Sequence, residues 1–293
     1  MKLTRLFICI YFALFCGIIA SAETRLPKIP DGMTDPARRA AYIMLHIWDF
    51  PENLATPEAA EQALADFLSV ADAGVAPAGD YADAVTVLVD KADKAGIDIL
   101  SLAAKYTSDP AAPFFDDELY LPFVDGALSS PSLLSKKTGL KERLQYDRAC
   151  ILKNRVGTQA ASFDVRLASD DTLSVHSLFT APLNLLLLFD PDCDHCREIL
   201  SELSASQTLT DAVTAAKVNV IAVWVDALDS PSAISVPSAD RWIIASDWSG
   251  IMENELYELP VMPSIYVIDG NGTVVGKNLL EVPAVLKALG LTE

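Results

Sequence analysis

Basic side chains are scarce in this sequence: 22 Lys and Arg stand against 40 Asp and Glu in 293 residues, a net charge of −18. Proteins hold phosphate backbones mainly through Lys and Arg, so nucleic acid is not an expected partner. Cysteine is also sparse, with five residues, and histidine has only three. That is too little cysteine for a disulfide-stapled scaffold of this length. Beyond residue 22 no apolar run is long enough to cross a hydrocarbon core of ~30 Å, so no transmembrane segment is expected in a mature chain. No repeat of fixed period is present. The 51% hydrophobic content, by contrast, is enough for a sizeable core and far too high for a disordered chain.

The first residues predict a leader. Lys2 and Arg5 precede the apolar run Leu6 to Ala20, and Ala20-Ser21-Ala22 is a small-residue cleavage site. The pattern predicts a signal peptide over residues 1–22 and export to the periplasm or cell envelope. A lipoprotein site at Cys16 is not expected, because Phe15 stands where such sites need a small residue. Removing the leader takes two bases, no acids, Cys9 and Cys16. The remaining chain has net charge −20 and three cysteines, Cys150, Cys193 and Cys196.

Residues 23–153 predict a helical domain of unknown function. Pro36 and Thr56-Pro57 are helix starts, and Asp80 is read as a cap for a third helix with Ala84, Val87 and Leu88 on one stripe. Further helices are predicted at Ile99 to Tyr106, Asp116 to Leu128 and Leu140 to Lys153. His46 is expected as a hydrogen-bonded core histidine beside Trp48, and Cys150 as a buried inert thiol. From residue 154 to 293 the periodicity changes. Strands are predicted at Ser162 to Leu167, Thr172 to Val175, Leu183 to Phe189, Val218 to Val225, Trp242 to Ala245, Ser264 to Ile268 and Thr273 to Val275. The last two flank Asp269-Gly270-Asn271-Gly272, a hairpin-turn signal. Helices are predicted at Cys196 to Ser206 and Val282 to Leu289, which gives an α/β domain with a mixed sheet.

The chemistry concentrates in Asp190-Pro191-Asp192-Cys193-Asp194-His195-Cys196-Arg197. A buried strand ends there and a helix begins. Cysteines at this spacing on a first helical turn can join with little backbone movement, and the helix terminus favours the thiolate of the first. Cys193 is then the attacking thiol and Cys196 the resolving one. Asp192 is the expected helix cap. Asp190, Asp192, Asp194 and His195 are candidates for tuning the pair, and Asp226 is read as a turn residue or, alternatively, a proton acceptor for Cys196. A zinc site needs four ligands, and only His195 and His176 are candidates nearby, so no metal is expected. A haem attachment needs His directly after the second cysteine, where Arg197 stands.

Residues 154–293 resemble the exported thioredoxin-like proteins of the cytochrome-maturation and thiol–disulfide interchange type. Val261-Met262-Pro263-Ser264-Ile265-Tyr266-Val267-Ile268-Asp269-Gly270 is similar to the cis-proline segment of that family. His46-Ile47-Trp48-Asp49-Phe50 and Asp117-Glu118-Leu119-Tyr120 resemble segments of a two-domain exported type. The resemblance implies a thioredoxin-like fold, a mixed central sheet flanked by helices, preceded by an all-α domain. It also implies a cis Met262–Pro263 bond, a substrate edge at Met262 and Pro263 beside Cys193, and no cofactor. Peroxiredoxin chemistry is disfavoured, because that family places Thr where Asp190 stands.

The expected function is that of an exported thiol–disulfide oxidoreductase acting on protein thiols and disulfides of the cell envelope, supplied by an upstream electron donor. From Thr158 onward there are 6 bases and 19 acids, net −13. Such surroundings disfavour a thiolate and shift the couple toward a reductant rather than an oxidant. The alternative is an envelope protein-binding module with a structural Cys193–Cys196 disulfide.

Overall fold

The computed structural model describes residues 23–225 and 240–291. The predicted leader and Asp226 lie outside the described residues. The chain divides into two units, Met1–Leu144 and Gln145–Glu293. That division falls inside a helix, whereas the change of sequence pattern lies at residue 154.

The first unit is helical. It contains α1 (Pro36–His46), α2 (Pro57–Asp72), α3 (Ala78–Ala95), α4 (Ile99–Thr107), α5 (Asp117–Leu128), α6 (Pro131–Lys136) and the start of α7 (Leu140–Leu152), with short 3-10 turns between α1 and α2. Side-chain oxygens begin several of these helices by taking otherwise unpaired N–H groups. Asp35 accepts from Arg38 at 2.9 Å, Thr56 from Ala59 at 3.2 Å, and Asp116 from Glu118 at 2.7 Å. Helix α3 ends at Gly96, whose φ of 75° is a left-handed conformation that favours glycine. The core holds Trp48, Phe67 and Tyr81 in a chain of ring contacts with centroids 5.4 and 5.5 Å apart. The Tyr81 hydroxyl reaches the Leu119 carbonyl at 2.6 Å, which satisfies the polar end of a buried ring.

Three expectations for this unit are corrected. Pro77, not Asp80, precedes α3, so Asp80 lies within its first turn. Val87 faces out at 37% exposure, and the buried stripe is Tyr81, Ala84, Val85, Leu88, Val89 and Ala92. His46 is not in the core: its side chain is 43% exposed, and Nδ1 pairs with Asp49 at 2.8 Å. It sits at the end of α1, where the following turn brings the Asp49 carboxylate beside it. Helix α6 was absent from the sequence reading, because six residues give too little periodicity to register.

The second unit is built on a seven-stranded sheet in the order β2-β1-β5-β4-β3-β6-β7. Its strands are β1 (Asp164–Leu167), β2 (Thr172–Ser174), β3 (Leu183–Phe189), β4 (Val218–Trp224), β5 (Ile243–Asp247), β6 (Ser264–Asp269) and β7 (Val274–Gly276). Its complete helices are α8 (Asp194–Ala205), α9 (Gln207–Thr214) and α10 (Val282–Ala288). Strand β3 runs parallel to β4 and antiparallel to β6. Its unbroken apolar sequence reflects two buried faces. Leu185, Leu187 and Phe189 join one core with α8, α9 and α10, while Leu186 and Leu188 join another with Phe163, Val175, Tyr257 and Tyr266.

The pairing also fixes where chemistry can occur. Phe189 lies opposite Trp224, and Trp224 opposite Ser246, so parallel β3, β4 and β5 end along one edge. Antiparallel β6 begins at that edge, with Ser264 opposite Leu188. The segments after β3 and before β6 therefore meet. At the other end of β6 the Asp269 side chain accepts from the N–H groups of Asn271 and Thr273, both at 2.8 Å. Those bonds, Thr273 first, hold its carboxyl below the usual range and close the predicted hairpin turn.

Candidate functional site

Helix α8 starts at Asp194, two residues earlier than the sequence predicts, and its N-cap is Cys193 rather than Asp192. The Cys193 sulfur accepts from the Cys196 N–H at 3.3 Å. Asp192 is exposed, and its own N–H donates to Asp190 Oδ1 at 2.9 Å. The Asp190 carbonyl accepts from the Cys193 N–H at 3.2 Å. This loop thus closes on Asp190, leaving the sulfur of Cys193 at the N-terminal N–H groups of α8. The sulfur is held in place by the first turn of the helix and remains partly exposed.

Opposite lies the segment before β6. The Met262–Pro263 bond is cis, and the Cys193 thiol donates to the Met262 carbonyl at 3.8 Å. Cys193, Cys196, Met262 and Pro263 therefore share one place. The Met262 side chain packs against both cores. His195 is about half exposed and lies 3.7 Å from the Glu198 carboxylate. Asp194 is exposed and paired with Arg197, which also donates to the Pro191 carbonyl at 2.6 Å. The sequence reading missed this tie across the cysteine loop, although Arg197 one turn beyond Cys193 is the signal for it.

Cys150, Cys193 and Cys196 are free thiols, and Cys193 alone is partly exposed among them. Burial pushes the Cys196 thiol up to about 12. Hydrogen bonding from the Asp190 backbone opposes that rise, while Cys193 and then the Asp190 charge add to it. Burial also raises the Cys150 thiol, against a hydrogen bond from Tyr146. His176 lies elsewhere, with Nε2 2.9 Å from the Ala160 carbonyl. Trp242 and Tyr257 are buried, whereas Trp248 is 53% exposed beneath the Arg166 guanidinium. Among the described residues no group of three or more His, Cys, Asp or Glu could hold a metal ion.

The two cysteines are therefore unequal. At pH 8 a thiol titrating at about 12 holds roughly one thiolate in 10⁴, so a small alkylating agent is expected to mark Cys193 and spare Cys196. Peptide mass mapping of the labelled native protein checks this, and comparable labelling of Cys196 contradicts it. In an unfolded chain the same thiol ionises at about 8.5. The stability carried by protonated Cys196 is thus present below that pH and is lost as pH rises toward about 12.

This sheet order, with a Cys-x-x-Cys at the start of the helix after β3 and Met-Pro at the start of β6, defines a thioredoxin-like fold. The chain has a helical N-terminal unit followed by a unit with that fold. Residues 12–154 match a family model described as a domain of unknown function (DUF5106). The protein is similar to a thioredoxin-like protein from Bacteroides caccae ATCC 43185, at 26% identity and a TM-score of 0.78, over 92% of this chain and 98% of that one. It is also similar to the C-terminal domain of an uncharacterized protein from Bacteroides fragilis NCTC 9343, at 30% identity and a TM-score of 0.44, over 47% of this chain and 99% of that one. A putative thiol:disulfide interchange protein DsbE from Chlorobium tepidum shares 24% identity at a TM-score of 0.37, over 46% of this chain and 98% of that one. Comparison with curated proteins returns no match.

Proposed function

We propose that the protein is an exported thiol–disulfide oxidoreductase that reduces or exchanges disulfides in envelope proteins through Cys193 and Cys196. The observation that carries this reading is the pairing of a partly exposed Cys193 sulfur, bonded to the Cys196 N–H, with the Met262 carbonyl beside it. Cys193 attacks a partner disulfide to give a mixed disulfide, and Cys196 then displaces the partner's second thiol. Met262 and Pro263 flank the attacking sulfur and offer backbone to the partner segment. Two electrons pass to the partner, and an upstream donor restores the dithiol.

The state of the Cys196 thiol supports the reducing direction. Its anion is disfavoured by burial and by the Asp190 charge, so the reduced pair gains little from ionisation. A couple of that kind favours its disulfide and behaves as a reductant. Export rests on the basic start, apolar run and Ala20-Ser21-Ala22 of the leader. No helix among the described residues is long and apolar enough to cross a membrane.

The full chain from Glu23, supplied with a small dithiol, is expected to reduce a peptide disulfide well above the rate of the dithiol alone. Cys193→Ser should return that rate to the background. A wild-type rate no higher than background overturns the proposal.

A further inference from the structure

Strand β6 carries two buried hydroxyls that reach back into the segment before it. Ser264 Oγ donates to the Val261 carbonyl at 2.5 Å, across the Met262–Pro263 bond. The Tyr266 hydroxyl donates to the Glu258 carbonyl at 2.7 Å. Tyr266 is packed edge-on against Tyr257, with ring centroids 5.0 Å apart, and Tyr257 donates to the Ala161 carbonyl at 2.8 Å. Ser264 lies opposite Leu188 of β3, one residue before that strand ends at Phe189 and the cysteine loop begins. Its hydroxyl therefore ties the Val261–Ser264 turn to the strand that delivers Cys193. A buried hydroxyl left without a partner is costly, so the bond is kept in the folded protein.

The same bonds decide which main-chain groups stay open. The Val261 and Glu258 carbonyls are taken. The Met262 N–H has no hydrogen-bond partner among the described residues, and the Met262 carbonyl meets only the Cys193 thiol, a weak donor, at 3.8 Å. One donor and one acceptor thus stand on the residue beside the attacking sulfur, the set that an extended strand pairs with. A small disulfide has no main chain with which to use them, whereas a polypeptide does. We propose that Ser264 is a positioning residue whose hydroxyl fixes the Val261–Ser264 turn, so that the Met262 main chain stands at Cys193 and extended polypeptide disulfides are preferred over small ones. This rests on the oxidoreductase reading above. Ser264 touches neither sulfur; it acts through the turn it closes.

Two substrates separate this role from a general effect on the fold. The full chain, kept reduced by a small dithiol, is assayed with a linear peptide holding a disulfide, and the reduced full chain with a symmetric aromatic disulfide that has no peptide backbone and releases a coloured thiolate. In Ser264→Ala the turn loses its closing bond while Cys193 keeps its bond to the Cys196 N–H. For the peptide, kcat/KM is expected to fall by roughly 10-fold, chiefly through a higher KM, since misplacing reacting groups by about 1 Å costs up to about 10²-fold. Release of the first thiolate from the aromatic disulfide should keep the wild-type rate, which also shows that the variant is folded and its Cys193 reactive. An unchanged peptide reaction, or equal slowing on both substrates, overturns the role of Ser264. If the wild type reacts with neither substrate, the oxidoreductase reading fails instead.

Discussion

A Cys196→Ser variant is expected to hold partner proteins as mixed disulfides on Cys193, whereas Cys193→Ser holds none. The asymmetry comes from geometry and burial. Cys193 is partly exposed at the start of α8, with its sulfur on the Cys196 N–H and near the Met262 carbonyl, while Cys196 is fully buried. A partner disulfide can reach only the first. Once it has reacted, the adjacent serine hydroxyl cannot displace the partner thiol, because an alcohol is a poor nucleophile toward sulfur at neutral pH. Steady-state turnover should fall by roughly 10³-fold or more in either variant, since residues that act as a unit lose nearly everything singly. Non-reducing gels of extracts from cells expressing each variant read the result. Equal trapping by both variants contradicts the assignment of roles.

The largest expected loss of stability from one polar side chain falls on Asn184. It is fully buried in β3, the strand from which the cysteine loop departs. Its amide nitrogen donates to the carbonyls of Ala181 at 3.1 Å, Ile268 at 3.3 Å and Asp269 at 3.4 Å. Its oxygen accepts from the Ala181 N–H at 3.3 Å. Asn184→Leu keeps the branched heavy-atom outline and takes the amide's hydrogen bonds from the buried Ala181 N–H and from the Ala181 and Ile268 carbonyls. Each such group costs about 1–3 kcal/mol, so the variant should lose about 2–4 kcal/mol. Urea unfolding followed by far-ultraviolet circular dichroism measures it. A midpoint equal to wild type would show that the buried amide contributes nothing to the β3–β6 junction.

Asn184 also shows where sequence reasoning reaches its limit. Leu183 to Phe189 was legible as a strand because leucines on both faces leave no other economical place for it. The amide inside that run carries no signal of its own, since two of its acceptors, the Ile268 and Asp269 carbonyls, come from the distant end of β6. The cysteine spacing, the strand before it and the Met262–Pro263 segment after it were legible for the same reason as β3: each is local in sequence. What was misread depended on competition between neighbours. Asp192 has the usual capping side chain, yet the sulfur one position later caps α8, because Asp192 donates its N–H back to Asp190. Helix α9 was overlooked, as only Leu209, Ala212 and Val213 are buried along it and Ser206 caps it with no loop after α8. His46 looked like a core residue beside Trp48, but the chain turns there and sends the two side chains to different environments.

The sheet of the second unit ends on both sides in three-residue strands, Thr172–Ser174 and Val274–Gly276. Under the proposed function partner backbone lies beside Cys193, and such a protein would run a standing risk that copies of itself add strand to strand. Margins this short present too few free N–H and C=O groups to template such growth. The −13 charge from Thr158 onward adds mutual repulsion between copies. Colloidal solubility and chemical accessibility are therefore assigned to different parts of one sheet, the lateral margins and the strand ends.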